Sequence, residues 1–463
     1  ELAPADWGRA LGVAVPKALA AAGAAPTEIA AICIDTTCCS VVALDGQGEA
    51  LRPALIWMDV RSAPQAARVA GCGDPALAVN GAGAGPVSAE WMIPKALWLM
   101  DNEPETFARA RTVCEFQDYM NLHLAGRLVA SINNVSVRWH YRARAGGYAR
   151  TMLQRLGAEA LLEKWPVEVV PLGQVIGGLT RRAARHLGLP EGLPVVQGGA
   201  DAFIAMIGLG VVEPDRLALI TGSSHLQLGL SRTELHGKGI FGTYADAVIP
   251  GLHVVEGGQI STGSIIAWFN RLIGGAADYE ALNREAAALP PGAEGLIVLD
   301  HFQGNRTPYT DAVSRGVISG LTLKHGPAHV FRAIMEGVAY GTALIFDTMR
   351  ANGYAPRQVM ICGGSTRSPL WLQIHADVTG VPMTVTEVTD APILGCAILA
   401  AVGAGLHPDI SAAAARMVRV ARTVEPDPAM TAAYRPFYEA YRDTYPALAD
   451  ILHRQAAAAG GGS

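Results

Sequence analysis

The sequence is poor in charge. Only 17% of its residues are Asp, Glu, Lys or Arg, and the net charge is −5. That balance points away from nucleic acid and from a membrane surface as partners. Seven cysteines (Cys33, Cys38, Cys39, Cys72, Cys114, Cys362 and Cys396) are scattered without a C-x-x-C or a Cys/His set at zinc spacing. They are expected to be small buried thiols of a reducing, cytoplasmic protein. No apolar run reaches the length of a membrane span, no signal-peptide pattern opens the chain, and no tandem repeat at solenoid periods is visible. There is no G-x-x-x-x-G-K-[ST], and no G-x-G-x-x-G lies between a strand and a helix, so the two commonest phosphate-loop motifs are excluded.

What remains is a 463-residue chain that is half hydrophobic, enough for two or three domains. Residues 5–22 read as a helix, weakened by Pro16 and stopped near Gly23. Residues 29–35, "IAAICID", read as a buried strand, and "EWMIPKALWLMDNEPETF" reads as a helix with Pro94 a potential break. Strands follow at "GLPVVQGG" and, around a Gly-Ser turn, at 217–231. A long helix should begin near Pro327 and stop near Gly353. Then "QVMICGG", "SPLWLQIHADVTG" and "VPMTV" form a β–α–β unit, so the class is α/β. The proline-bearing stretch 171–194 has no strong core pattern and places a domain boundary soon after it, near 211. The terminal "AAAAGGGS" reads as a flexible tail.

Three strands end in small residues: Gly198-Gly199 before Asp201, Gly222-Ser223-Ser224, and Gly363-Gly364-Ser365-Thr366. Each alone is explained by a tight turn. Glycines also let a backbone approach a phosphate, and a following helix N-terminus favours its charge. Asp201 is the only charged residue between Glu191 and Glu213. It can be a helix cap or a base. Three such turns with one isolated carboxylate favour a nucleotide-dependent phosphotransferase.

At this point the chain resembles the FGGY family of carbohydrate kinases. Gly316, Ile318, Gly320, Leu321, His329, Val330, Ala333, Ile334, Met335 and Glu336 fit the family's second signature. Gly304, Arg306, Pro308 and Asp311 fit the segment before it. Lys95, Trp98, Leu99, Asp101 and Asn102 fit the first signature, in which Ala96 replaces a larger apolar residue. The resemblance runs from about Asp6 to the mid-440s. It implies two actin-like (ribonuclease H-like) domains around a catalytic cleft: residues 1–211 for sugar, residues 212–445 for ATP, and 446–463 as a tail. It further implies Asp201 as general base and as a holder of Mg²⁺. Gly222, Ser223, Gly263, Gly363, Gly364 and Ser368 would bind ATP, with Ser365 where a third glycine is common.

The substrate side is less specific. Asp35-Thr36-Thr37 resembles ribulokinases, and the Arg-Glu pair of glycerol kinases is absent. Asp35, Thr37 and Cys38 are therefore candidate sugar contacts, or the threonines only satisfy nearby backbone. Trp57, Asp59 and Arg61 would share one face of an extended segment, lining the sugar pocket or forming an Asp59–Arg61 pair. A pentulose of the ribulose or xylulose type is the expected substrate. A polyol kinase (of glycerol, erythritol or a pentitol), a non-catalytic sugar-binding relative and a chaperone-like ATPase are the alternatives. A homodimer is left open. The family's opening β-hairpin, with its Asp-x-Gly-Thr-type phosphate cradle, does not precede the first helix. That reads as a fragment, expected to be a poor kinase with an exposed sheet edge.

Overall fold

The computed structural model describes residues 1–80, 87–237, 239–275 and 278–459. In the first half, α1 (Pro4–Ala22) carries a proline in its first turn and ends at Gly23, whose φ of 63° suits glycine. The strand expected over 29–35 is regular only at β1 (Ile32–Cys33). It is followed by β2 (Val41–Leu44), α2 (Met92–Asn102), β3 (Thr112–Glu115) and α3 (Ile132–Arg138). Pro94 falls in the first turn of α2, where it removes no intrahelical bond, so it does not break the helix. Then come β4 (Val175–Gly178), α4 (Arg181–Leu187), β5 (Pro194–Val196) and α5 (Asp201–Gly208).

The stretch 171–194 corrects the sequence reading. It forms β4 and α4, and Ile176, Leu179, Ala183, Ala184 and Leu187 are buried in one cluster with Leu124 and Val195. Both elements are too short for periodicity to register, although the Thr180 N-cap and the left-handed Gly188 were helix signals in view. β1 runs parallel to β5, and β4 runs antiparallel to β5, giving the order β1-β5-β4. β2 and β3 form a separate antiparallel pair.

The second half is built on a seven-stranded sheet. Its strands are β6 (Arg216–Thr221), β7 (His225–Ser231), β8 (Gly242–Ala245), β9 (His253–Gln259), β10 (Gln358–Gly363), β11 (Met383–Thr386) and β12 (Val420–Val424). The order is β8-β9-β7-β6-β10-β11-β12, parallel only between β6 and β10 and between β10 and β11. Helices α6 (Gly263–Leu272), α7 (Pro327–Ala351), α8 (Pro369–Thr379), α9 (Ala391–Gly403) and α10 (Pro428–Ala458) are among those of this half. Residues 446–458 continue α10, with Leu452 and Ala456 buried, so most of the expected tail is helix; residues 460–463 lie outside the described residues.

One core runs through both halves. Val196, Phe203 and Ile204 of the first half pack with Ala218, Leu228, Met360 and Leu399 of the second. The closest approach is between α5 and α9: a Cβ on Gly208 would lie 1.9 Å from the Ala391 carbonyl oxygen, and one on Gly395 would lie 2.2 Å from that of Ile204. No helix among the described residues is long and apolar enough to cross a membrane.

Candidate active site

The carboxyl end of β1 meets the start of α5. Beyond the strands, the Thr36 amide donates to the Gly199 carbonyl and the Asp201 amide donates to the Thr36 carbonyl, both at 3.0 Å. The two glycines before Asp201 make this approach feasible. A Cβ on Gly198 would sit 1.8 Å from the Ile34 carbonyl oxygen, and one on Gly199 would sit 2.8 Å from Asn133 Oδ1. Their smallness is therefore explained by chain-to-chain contact, not by room for a phosphate.

Asp201 is the first residue of α5, and among the described residues its Oδ1 accepts only from the adjacent Ala202 amide, at 2.7 Å. It does not cap the helix in the usual way, because the N-cap is Ala200. Its side chain is exposed, yet surrounding protein replaces much of the bulk water, as on a concave surface. That burial raises its pKa, and the nearby Asp35 carboxylate raises it further against the lowering effect of the Ala202 amide. Asp35 accepts from the Cys396 thiol at 3.4 Å, a contact from α9 that spans 361 residues of sequence. Thr37 Oγ1 pairs with Ser40 Oγ at 3.2 Å, and the buried Thr36 hydroxyl has no hydrogen-bond partner among the described residues. Neither threonine side chain serves local backbone. Cys38 is half-buried against Cys39.

The Trp57–Arg61 segment is not continuously extended. The Asp59 amide donates to the Ile56 carbonyl at 3.0 Å, closing a turn through Trp57 and Met58, so the expected single face does not form. Arg61 pairs with Asp59 at 2.8 Å and with Glu1 at 2.7 Å, and lies over Trp98 at 5.0 Å. Both charges are committed within the protein, while Trp57 is 45% exposed.

On the other side, the glycine turns end neighbouring strands. Gly363 of β10 stands opposite Thr221 of β6 in a parallel register. Thr221 Oγ1 donates to the Cys362 carbonyl at 2.6 Å and accepts from Ser365 Oγ at 2.8 Å, tying the turns together. A crevice outside the carboxyl ends of parallel strands is where open α/β sheets place ligands. The individual glycines differ. Gly363 has φ 94°, and a Cβ there would lie 1.8 Å from the Thr221 carbonyl oxygen. At Gly263 a Cβ would lie 2.4 Å from the Gly222 carbonyl oxygen. The amides of Thr262, Gly263 and Ser264 all donate to the carbonyls of Gly222 and Ser223, so the start of α6 braces that turn. By contrast a Cβ on Gly364 would meet nothing within 4 Å, and one on Gly222 only the Ser224 carbonyl oxygen at 3.7 Å. Those two glycines border open space. Ser368 caps α8, accepting from the Trp371 amide and donating to Asn283 at 2.7 Å, so its hydroxyl is already engaged.

Several positioning residues escaped the sequence reading. Asn133 accepts from the Ala200 amide at 2.9 Å, just before Asp201. Lys95 and Glu115 hold the Cys39 backbone from both ends. The buried run Asn133-Asn134 in α3 was the available signal, because buried amides are normally there to satisfy partners.

Two family models match the chain: the FGGY family of carbohydrate kinases, N-terminal domain, over residues 1–208, and the C-terminal domain of the same family over residues 217–404. A ribulokinase from Mycolicibacterium smegmatis is 32% identical over 471 residues, covering 95% of this chain and 82% of the relative. The crystal structure of a xylulose kinase from Rhodospirillum rubrum superposes with a TM-score of 0.86 at 27% identity, covering 97% of this chain and 91% of that one. The fold is accordingly a pair of actin-like α/β domains.

Proposed function

Because the chain belongs to the FGGY family of carbohydrate kinases, we propose that it transfers the terminal phosphoryl group of ATP to a hydroxyl of a pentulose such as ribulose or xylulose. It is a carbohydrate kinase, and the family implies ATP use. The finer reading rests chiefly on one observation: Asp201, solvent-accessible and with a raised pKa, stands beside Asp35 where β1 and β5 end.

Asp201 accepts the proton of the attacking hydroxyl at its carboxylate. Among the described residues its one hydrogen bond comes from the Ala202 amide to Oδ1, which leaves Oδ2 available for that task. Asp35 and Thr37 orient the sugar, and Thr36 offers an unsatisfied hydroxyl on the same stretch. Gly222, Ser223 and Gly364 let phosphates and adenosine approach the backbone, while Gly263, Gly363 and Ser368 hold those turns in shape. Two neighbouring carboxylates fit a hard, oxygen-seeking cation, so Asp201 with Asp35 would hold Mg²⁺. The ion would supply charge neutralisation near the transferring phosphoryl. A division near residue 211 into a sugar-side and an ATP-side domain, and a cytoplasmic setting, complete the proposal.

The test is ADP release, coupled to a chromophore, in the presence of ribulose, xylulose, pentitols, tetritols and glycerol. Turnover highest with a pentulose supports the reading. Turnover restricted to polyols, or sugar binding without ADP release, overturns it.

A further inference from the structure

The turn between Thr37 and β2 carries two adjacent thiols, of which Cys38 is a candidate sugar contact and Cys39 has no assigned task. Cys39 Sγ lies 3.5 Å from Cys38 Sγ. Neighbouring side chains on a strand point to opposite faces. Here Cys39 has φ 64°, a left-handed backbone that non-glycine residues avoid, and the two sulfurs meet. The conformation is held from outside. The Cys39 amide donates to Glu115 Oε2 at 3.0 Å, and Lys95 Nζ donates to the Cys39 carbonyl at 2.9 Å. One ligating atom from each of Cys38, Cys39 and Glu115 lies within 4.8 Å of the others.

We propose that Cys38, Cys39 and Glu115 form a binding site for a thiophilic divalent cation of the zinc class. Zinc–sulfur bonds of about 2.3 Å in a tetrahedral shell separate two sulfurs by roughly 3.8 Å, close to the spacing found. A disulfide fits less well. Adjacent Cα atoms are about 3.8 Å apart across a trans peptide, below the roughly 4.4–6.8 Å that disulfides span. Glu115 keeps capacity for a ligand: among the described residues Oε2 takes the Cys39 amide and Asn134, whereas Oε1 takes only Trp139 Nε1. Charge also fits. Two thiolates and a carboxylate around a divalent ion leave one negative charge, which faces the Lys95 ammonium and the Arg138 guanidinium. Binding displaces the two thiol protons to solvent. Cys38 is half-buried while Cys39 and Glu115 are buried, so the cation approaches past Cys38. The turn directly follows Asp35 and Thr37; that occupation hinders sugar binding therefore rests on the function proposed above, whereas the cation site itself does not.

The experiment titrates the full chain with cadmium and follows thiolate-to-metal absorbance, with zinc as competitor. It is run in a Cys396→Ser background, because Cys33 and Cys396 are also neighbours. One ion per chain with a two-thiolate signature is expected. Cys38→Ser and Cys39→Gly should each weaken binding more than about 100-fold, Glu115→Gln about 10-fold, and Cys72→Ser not at all. Cys39→Gly suits the left-handed backbone, so it remains informative if Cys38→Ser fails to fold. No stoichiometric absorbance, or absorbance that survives both thiol substitutions, overturns the site. Stoichiometric binding that leaves the pentulose KM unchanged supports the cation site and instead removes this turn from the sugar pocket.

Discussion

Asp201 and Asp35 repel each other, and burial already disfavours the charged form of Asp201, so its pKa is raised in the folded protein. A raised carboxyl binds more protons folded than unfolded. Its ionisation therefore costs stability as pH rises from the ordinary 3.8 through the folded value, and the full cost is present above that folded value. Asp201→Asn removes both the base and that cost, while the amide oxygen can still accept from Ala202. The expected outcome is a kcat lower by about 10²–10⁴-fold with an equal or higher melting temperature. Near-normal kcat with a lower melting temperature would make Asp201 a structural residue. In the wild type, kcat should fall on acidification through a pKa above the ordinary aspartate value, because only the carboxylate accepts the proton. A profile that stays flat as pH falls to the ordinary 3.8 would contradict that role.

At the scale of elements, the last glycine of β10 and the glycine just after it separate cleanly. Gly363 combines a positive φ with a Cβ position 1.8 Å from a carbonyl oxygen, so Gly363→Ala should destabilise the fold by about 2–3 kcal/mol or more and inform little about nucleotide. Gly364 borders open space. Gly364→Val should keep the melting temperature within a few degrees and raise the KM for ATP several-fold more than that for sugar. An unchanged ATP KM in the folded variant would remove this turn from the nucleotide site. The glycine pattern was legible in the sequence, but not which glycine was needed by the chain and which left room for a ligand. That depends on what the neighbouring strand places opposite each Cα.

Across the whole molecule, the halves are joined by a buried ion pair. Arg138 of α3 contacts Glu256 of β9 at 2.9 Å, and Tyr244 accepts from Arg138 and donates to Glu256. Burial pushes the Glu256 pKa up, but Arg138 outweighs it and the net shift is downward. Its contribution is therefore complete above the ordinary 4.5 and is lost as pH falls below that through the folded value. Glu256→Gln leaves Arg138 buried without its counter-charge and should cost on the order of 3 kcal/mol at pH 7. The deficit should shrink as pH drops below about 4.5. Thermal melts of both proteins across that range check it; a deficit independent of pH would mean that shape, not charge, joins the halves.

The amino-acid sequence alone determined the α/β class, several helix and strand positions, the glycine turns, the isolated Asp201 and the family. Those features are local: capping residues, chain punctuation and short-range pattern act within a few residues of themselves. Only the tertiary structure decided that Asp35 receives a thiol from α9, that Asn133 positions the chain before Asp201, and that 171–194 is part of a core. Each of these depends on residues far apart in sequence or on elements too short to show a period, and burial and pairing exist only once the chain has closed on itself.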